Sequence, residues 1–433
     1  MLQPAPTKGD TRWFTQDRFG MFIHWGLYAL PARHEWIRNY ERITDEDYQP
    51  YFDTFDPDLY DPKAWAEAAK NAGMKYVVLT TKHHEGFCLW DTQQTDYKVT
   101  NTPYGKDLVK PFVEAFRAAG LKVGFYYSLI DWHHKDFPVD VLHPYRDHSE
   151  EEIAQLNEGR DVRRYAAYMR EQVRELLTAY RPEIIWYDFS YPGREYKGLV
   201  GKGHEDWESE KLEALTRELC PGIIINNRLD LPGSADIQTP EQFQPKEWIH
   251  VDGKPVVWET CQTFSGSWGY HRDETTWKSP EQLVKMLINT VAAGGNLLMN
   301  VGPTGRGTFD TRAVDALSVY GNWLTLHGRS IYSCTQSEFS APQDCRLTQD
   351  GKRLYLHVFS WPFRHIHLEG LGGKVVYAQL LNDASEVKLL EPDRNDTETN
   401  TWSSASLGDN TLVLELPVIK PDVVVPVIEL FLR

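Results

Sequence analysis

Short apolar runs alternate with longer amphipathic segments through most of this 433-residue chain, and this alternation constrains the fold more than any other feature. The runs have the length of buried strands, and the segments between them have the periodicity of helices. The predicted strands are 20–28, 75–84, 122–131, 183–190, 223–229, 255–261 and 296–303. The predicted helices are 62–73, 107–120, 161–182, 208–222, 279–295 and 310–328. Repeated strand–helix units predict a parallel sheet with helices packed against it.

The number of strand–helix units favours a (β/α) barrel of the TIM type over an open doubly wound sheet. No Gly-x-Gly-x-x-Gly motif follows the first predicted strand, which argues against a dinucleotide-binding fold. An eighth strand is not evident in the pattern. We therefore expect the barrel to be irregular or incomplete.

The pattern changes after residue 334, where short alternating runs are separated by Gly, Asp and Asn. These runs are 353–361, 365–371, 374–381, 386–391, 410–417 and 423–432. Several short alternating strands of this kind are typical of an all-β sandwich. The sequence thus predicts two domains, a catalytic (β/α) barrel at 1–334 and a C-terminal β-sandwich at 335–433.

Net charge and cysteine content indicate which binding partners and which cellular compartment to expect for this protein. The chain carries 46 Lys and Arg against 62 Asp and Glu, a net charge of −16. Such an acidic protein repels nucleic acid and anionic lipid, so neither is an expected partner. Residues 1–14 lack the apolar core of a secretory signal, which predicts a cytoplasmic protein. The five cysteines form no Cys-x-x-Cys pair and are expected to be reduced thiols.

Polar and aromatic side chains collect at the predicted strand ends. Active sites of (β/α) barrels lie at the C-terminal ends of the strands, so these residues are expected to converge. They are His24, Lys82, His83, His84, Glu85, Tyr126, Asp131, Trp186, Asp188, Asn226, Arg228, Glu259 and Asn300. Any one of them has a structural explanation as a hydrogen-bonded packing residue. Their convergence on one rim predicts a catalytic site.

Metal-dependent hydrolysis is one chemistry that histidine pairs suggest. However, adjacent residues on a regular strand point to opposite faces, so His83 and His84 would not both face inward. The sequence also contains no His-Glu-x-x-His motif. We therefore expect no metal and no other cofactor.

Glycoside hydrolysis by two carboxylates fits the strand ends better. The stretch "EIIWYDFS" (183–190) places Asp188 where a buried strand ends, next to aromatic rings that can line a sugar pocket. The alternative role for Asp188 is to cap the following helix. That helix is predicted to begin about 20 residues later, which weakens the alternative. Asp188 is the predicted nucleophile.

Several motifs in order along residues 12–330 resemble one enzyme family. They are "RFGMFIHWGLYALP" with "HEW", "YVVLTTKHHEGFCLWDT", "GLKVGFYYS", "IIWYDFS", "WGY" and "GGNLLMNVGPTGRG". Together they resemble the α-L-fucosidases of glycoside hydrolase family 29. The resemblance implies a barrel followed by a β-sandwich, and an exo-acting retaining glycosidase that removes terminal α-L-fucosyl residues. It also implies that Asp188 forms the covalent glycosyl-enzyme intermediate.

The resemblance further implies a set of sugar-binding residues. They are His24, Glu35, Trp36, His83, His84, Tyr126, Trp186, Arg228 and Trp268. If both histidines of "KHHEGF" reach the sugar, the strand must bulge there. Tyr187 is expected to point behind the strand into packing. The implied partner is a fucosylated oligosaccharide or glycoconjugate, and the oligomeric state stays open.

Three glutamates compete for the role of general acid/base. Glu241, in "DIQTPEQF", resembles the acid/base segment of bacterial members of the family and is the predicted residue. Glu259, at the end of the sixth predicted strand, is the alternative. Glu35 is expected to bind a hydroxyl instead. In a retaining enzyme the two catalytic carboxyls should lie about 5–5.5 Å apart.

Two other functions remain compatible with these residues. A carbohydrate-binding module without catalysis would not hydrolyse an aryl fucoside. A galactosidase would accept the hydroxymethyl group of galactose where fucose carries a methyl group. Hydrolysis of the two aryl glycosides distinguishes all three functions.

Overall fold

Seven parallel strands form the largest sheet of the computed structural model, which describes residues 3–390 and 410–433. They are β1 (Phe19–Ile23), β2 (Tyr76–Lys82), β3 (Lys122–Ser128), β4 (Ile184–Asp188), β5 (Ile224–Ile225), β6 (Glu259–Thr263) and β7 (Asn296–Val301). Their order is β6-β7-β1-β2-β3-β4-β5. This sheet is the predicted incomplete (β/α) barrel.

Six long helices follow the strands and pack outside the sheet. They are α1 (Pro62–Asn71), α2 (Val109–Ala118), α3 (Val162–Tyr180), α4 (Ser209–Leu219), α5 (Pro280–Ala292) and α6 (Thr311–His327). A short helix, Arg12–Asp17, precedes β1, and the connections contain the helices Ile37–Tyr40, Asp45–Thr54, Glu150–Asn157 and His204–Trp207. Local signals explain the helix starts: α1 begins with an Asp61 cap before Pro62, and α5 with a Ser279–Gln282 capping box.

All seven predicted strands end at different residues in the structure, and three differ most: 20–28 is observed as Phe19–Ile23, 223–229 as Ile224–Ile225, and 255–261 as Glu259–Thr263. After β1 and after β5 the chain turns into short 3₁₀ helices, Leu27–Ala29 and Asn227–Leu229. An apolar run indicates burial and not strand pairing: Leu27, Tyr28, Ala29 and Leu229 are buried in these turns without belonging to the sheet.

An extended segment stands where an eighth strand would close the barrel. Residues 237–242 run between β5 and β6 and form isolated parallel bridges: Asn226 with Ile237, Gln238 with Trp258, and Glu241 with Cys261. The segment also bonds through the backbone, with Gln238 N–H donating to the Val257 carbonyl and Gln242 N–H donating to the Cys261 carbonyl. Glu241 therefore sits on the barrel rim.

Side chains alternate between the two faces of the sheet. Phe22, Val78 and Trp186 belong to a cluster inside the barrel, whereas their neighbours along the strands pack outward against the helices. Tyr187 follows this rule, since its hydroxyl bonds to Thr216 of α4 at 2.7 Å. The prediction that Tyr187 points behind the strand is confirmed, and the period-two pattern explains why Trp186 and Asp188 share the inner face.

The C-terminal part forms two antiparallel sheets. Their strands are β8 (Thr335–Gln336), β9 (Cys345–Asp350), β10 (Arg353–Val358), β11 (His365–Glu369), β12 (Val375–Leu380), β13 (Lys388–Leu390), β14 (Thr411–Glu415) and β15 (Val427–Leu432). The orders are β8-β9-β10-β15-β12 and β11-β14-β13, and both sheets contribute to one apolar cluster, as in a sandwich.

Strand β9 was not predicted because its sequence "CRLTQD" is mostly polar, although Cys345, Leu347, Thr348 and Gln349 are buried. The predicted strand at 386–391 extends one residue beyond the described residues. The boundary at residue 334 stays a prediction. None of the helices in residues 3–390 and 410–433 is long and apolar enough to cross a bilayer.

Candidate active site

A cavity of about 500 Å³ opens at the C-terminal ends of the barrel strands. Ten of the predicted site residues line it: His24, Glu35, Trp36, His83, His84, Tyr126, Trp186, Asp188, Glu241 and Trp268. Arg228 lies beside it and contacts two of the lining carboxylates. Glu259 lies elsewhere. The barrel thus brings together residues from five strand ends and from segment 237–242.

Asp188 is buried at the end of β4, where two donors hold its carboxylate. The Tyr126 hydroxyl donates to Oδ2 at 2.8 Å, and Arg228 Nη1 donates to Oδ1 at 3.0 Å. Burial raises the pKa of Asp188 to about 6; Arg228 opposes this rise, and the Glu241 carboxylate adds to it. Asp188 is therefore mostly ionised at neutral pH, oriented by an arginine and a phenol.

Arg228 joins the two predicted catalytic carboxylates. Its Nη2 donates to Glu241 Oε2 at 3.1 Å while its Nη1 binds Asp188. The guanidinium also donates two hydrogen bonds to Thr239: Nη2 donates to the backbone carbonyl oxygen at 3.1 Å, and Nε donates to the hydroxyl oxygen at 3.2 Å. It lies over the Trp186 ring, 4.9 Å from its centroid. One cation thus ties segment 237–242 to β4.

The two carboxylates differ in exposure. The Asp188 side chain is 9% exposed, whereas that of Glu241 is 40% exposed. A nucleophile contacts only the anomeric carbon of the bound sugar. An acid/base residue must contact the departing glycosidic oxygen and later a water molecule from solvent. The difference in exposure matches these two tasks.

The backbone is strained next to each of three carboxylates in the cavity. Phe189 follows Asp188 with φ +73°, Gln242 follows Glu241 with φ +50°, and His34 precedes Glu35 with φ +135°. A positive φ costs a non-glycine residue roughly 1–3 kcal/mol and is concentrated at functional sites. In the structure, Phe189 turns back into the cavity and packs on Trp36 and His84.

His24 is held as a neutral hydrogen-bond acceptor. Its Nδ1 lies 2.7 Å from the Asn300 side-chain oxygen, and the Asn300 amide donates to the Trp268 carbonyl at 2.6 Å. An amide oxygen can only accept, so Nδ1 carries the proton and Nε2 has a free lone pair. Burial lowers the pKa of His24 to about 3, which keeps the ring neutral.

His84 is oriented in the same way. The Ser128 hydroxyl donates to the Ile130 carbonyl at 2.9 Å, so it accepts from His84 Nδ1 at 2.6 Å. Burial also lowers the pKa values of His83 and His84 well below the usual range. The rim therefore offers neutral imidazole acceptors, which suit sugar hydroxyl groups better than they suit anions.

His83 and His84 both line the cavity because they follow β2 rather than belong to it. The strand shifts register at Thr80 and ends at Lys82. A turn then begins at His83, whose carbonyl accepts from Gly86 N–H at 3.0 Å. The strand is therefore not regular at this point, so the condition for opposite faces is not met, and the irregularity that the resemblance required is observed.

Glu35 ties together the loops after β1 and after β6. Its Oε2 accepts from the backbone N–H groups of Trp268 at 3.2 Å and Gly269 at 2.8 Å. Its Oε1 is buried and lies 3.3 Å from His34 Nδ1, which itself accepts a hydrogen bond from the Trp36 N–H at 3.1 Å and therefore does not donate to Glu35. The Trp268 ring packs on His24 and Phe22. Glu35 therefore positions an aromatic wall and keeps one oxygen for a ligand.

Glu259, the alternative acid/base, lies beneath the cavity. It is fully buried, accepts from the Tyr76 hydroxyl, and accepts from Trp186 Nε1 at 3.4 Å. Burial raises its pKa to about 7. The Trp186 ring separates it from the site, so its position supports a structural role.

Several cavity residues were missed by sequence reasoning. They are Phe22, His34, Asn39, Tyr40, Leu142, Arg146, Phe189, Arg194, Gln242, Cys261 and Gly266. Most lie in loops, and no local pattern signals that a loop residue turns inward. Within the described part of the chain, no group of three or more His, Cys, Asp or Glu side chains is arranged to hold a metal ion.

The geometry of the cavity indicates the class of enzyme to which this protein belongs. Paired carboxylates on the rim of a (β/α) barrel, surrounded by aromatic rings and neutral acceptors, form the catalytic arrangement of a glycoside hydrolase.

Comparison with known proteins makes the class specific. The α-L-fucosidase family model matches residues 5–329. Human plasma α-L-fucosidase is 30% identical over 435 residues, covering 94% of this chain and 85% of that protein. α-L-Fucosidase isoenzyme 1 from Paenibacillus thiaminolyticus is 45% identical, with a TM-score of 0.88 and 98% of each chain covered.

A family 29 α-L-fucosidase from Bacteroides thetaiotaomicron, trapped as a covalent intermediate with 2-fluoro-fucosyl fluoride, is 27% identical with a TM-score of 0.82. The match covers 100% of this chain and 98% of that one. The chain belongs to the α-L-fucosidase family, glycoside hydrolase family 29. The predicted family and the predicted class of enzyme, a retaining glycosidase that acts on fucosyl residues, are confirmed.

Proposed function

We propose that this protein hydrolyses terminal α-L-fucosyl residues of oligosaccharides or glycoconjugates, with Asp188 as nucleophile and Glu241 as general acid/base. The observation that carries the assignment is the guanidinium of Arg228, which lies 3.0 Å from an Asp188 oxygen and 3.1 Å from a Glu241 oxygen. A shared cation keeps two carboxylates close to each other despite their mutual repulsion.

In the first step, ionised Asp188 attacks the anomeric carbon while Glu241 protonates the departing glycosidic oxygen. The bond from sugar to Asp188 forms as the bond to the aglycone breaks. Tyr126 and Arg228 hold the attacking carboxylate in place. In the second step, Glu241 deprotonates a water molecule, which displaces Asp188 and releases fucose with retained configuration.

The remaining cavity residues suit fucose. The free Nε2 atoms of His24 and His84 accept hydrogen bonds from sugar hydroxyls, and so does Glu35 Oε1, which accepts no hydrogen bond within the described residues. Trp186 and Trp268 present ring surface within the cavity. Burying the fucose methyl group on such a surface contributes about 1 kcal/mol, which favours fucose over a sugar that places a hydroxyl there.

Azide rescue tests the assignment. Asp188→Gly should lower hydrolysis of an aryl α-L-fucoside by several orders of magnitude, and azide should restore turnover and yield the β-fucosyl azide. Glu241→Gly should yield the α-fucosyl azide, because Asp188 still forms the intermediate. Glu259→Gln is the matched control and should show no rescue. Near wild-type activity of Asp188→Gly would contradict the mechanism.

A further inference from the structure

A second cavity, of about 390 Å³, adjoins the catalytic one. The two share Leu142, Arg146 and Arg194 in their walls. The remaining wall comes from Arg42, Val141 and the first strand, Glu195–Tyr196, of a short hairpin whose second strand is Leu199–Val200. Because the two cavities share these walls, a sugar attached to a fucosyl group in the catalytic cavity lies within reach of the second cavity.

This second cavity is basic, although the protein as a whole has a net charge of −16. Arg42, Arg146 and Arg194 line it, and Glu195 is the acidic residue in its wall. Asp147, which follows Arg146 in the chain, forms two ion pairs: its Oδ2 lies 2.6 Å from Arg42 Nε, and its Oδ1 lies 3.0 Å from Lys197 Nζ. In and beside the second cavity there are thus four cationic side chains, those of Arg42, Arg146, Arg194 and Lys197, and two carboxylates, those of Asp147 and Glu195.

Arg146 and Arg194 are available to a ligand. The guanidinium of Arg146 donates to neutral acceptors, the His143 carbonyl at 3.2 Å and the Asn39 side-chain oxygen at 3.1 Å. In the part of the chain that the structure describes, neither arginine forms an ion pair, and Arg194 is exposed to solvent. Burial and the neighbouring Arg42 lower the pKa of Arg146, so an anion would relieve an unfavourable environment.

We propose that the second cavity is an aglycone subsite for an anionic group, a carboxylate or a sulfate ester, on the sugar that carries the fucose. Guanidinium groups bind both anions through paired N–H donors. The neutral histidines of the first cavity would then select the fucose, and the arginines would select an acidic aglycone. This inference rests on the proposed function and adds the chemical class of its substrate.

Matched disaccharides test the inference. The probes are α-L-fucosyl glucose, α-L-fucosyl glucuronic acid and α-L-fucosyl 6-O-sulfoglucose, each in 1→2, 1→3 and 1→4 linkage. An aryl α-L-fucoside reports on basal activity. The measured quantity is kcat/KM of each charged probe divided by kcat/KM of the neutral probe of the same linkage. The glucuronate and sulfate arms distinguish the two anions.

The wild type should prefer at least one charged probe, and Arg194→Gln should lower that preference about fivefold, the upper range for one exposed ion pair. Arg146→Gln should also lower it. Arg194→Lys should retain most of the preference, and Glu195→Gln should raise it. Added NaCl should weaken it, because salt screens exposed charges. Arg163→Gln, which removes an exposed charge on α3, is the matched control and should leave it unchanged.

The outcomes separate the two proposals. If the aryl fucoside is not hydrolysed, the proposed function fails. If it is hydrolysed but the charged probes show no preference, or Arg194→Gln and Arg146→Gln leave the preference intact, the subsite is refuted. Cleavage of the aryl fucoside with no cleavage of any disaccharide would also overturn it.

Discussion

Replacing Arg228 by glutamine should shift the pH dependence of catalysis in a defined direction. Burial raises the pKa of Asp188 from 3.8 to about 6 even with Arg228 beside it. Loss of an opposite charge at 3.0 Å raises a carboxyl pKa by a further 1–3 units, so the acid limb should move to about pH 7–9. This corresponds to ~1.4–4 kcal/mol less stabilisation of the ionised nucleophile.

The assay is kcat/KM for 2,4-dinitrophenyl α-L-fucoside between pH 5 and pH 10. Its leaving group departs without protonation, so kcat/KM reports the ionisation of Asp188 and not the protonation of Glu241. A shift of the Asp188 pKa from about 6 to about 7–9 lowers the ionised fraction at pH 6 roughly 5- to 500-fold, and activity at pH 6 should fall accordingly. Part of the loss should be recovered as the pH rises.

Arg228→Lys keeps a positive charge and should shift the acid limb less than Arg228→Gln. Arg163→Gln should leave the limb in place, and thermal unfolding should show that each variant is folded at the assay temperature. The reasoning is refuted if Arg228→Gln loses the same factor at every pH. Such a result would mean that Arg228 positions the site without setting the charge of Asp188.

Three further predictions follow from buried groups and tight turns. Asp188→Asn should raise Tm at pH 7.5, because a rise in pKa from 3.8 to about 6 makes the ionised form cost up to ~3 kcal/mol of folding free energy. The gain should be small near pH 4 and vanish below the unfolded-state pKa, and an equal gain at pH 7.5 and pH 4 would contradict this. Glu259→Gln should keep hydrolysis of a poor-leaving-group fucoside within about tenfold, whereas Glu241→Gln should lower it at least ~100-fold; the reverse order would exchange their roles. Gly86→Ala should lower the free energy of unfolding in urea by ~1–3 kcal/mol and raise KM. Gly86 has φ +85°, and a Cβ at this position would lie 2.2 Å from Asp131 Oδ1. An unchanged urea midpoint would contradict this and show that the turn after β2 accommodates the Cβ.

Much of the barrel was predictable because its signals are local. Strand alternation has a period of two, and helix starts use caps within four residues, so β1 to β7 and α1 to α6 lie close to their predicted positions. The same period placed Trp186 and Asp188 on the inner face and Tyr187 on the outer face. In the C-terminal part, β9 escaped prediction because two of its buried residues, Thr348 and Gln349, are polar and satisfied by hydrogen bonds, so the strand lacks an apolar pattern.

The sequence by itself determined the strand–helix order, the inward position of Asp188, and the motifs that identify the family. Only the tertiary structure decided that segment 237–242 lies in the gap between β5 and β6 and carries Glu241, that Glu259 lies beneath Trp186, and that Arg228 joins two carboxylates. The tertiary structure also decided that His83 and His84, in the turn after β2, both face the cavity. The physical reason is that periodicity and capping act within a few residues, whereas these contacts join loops far apart in the chain, and their strained backbone is held in place by the packed barrel.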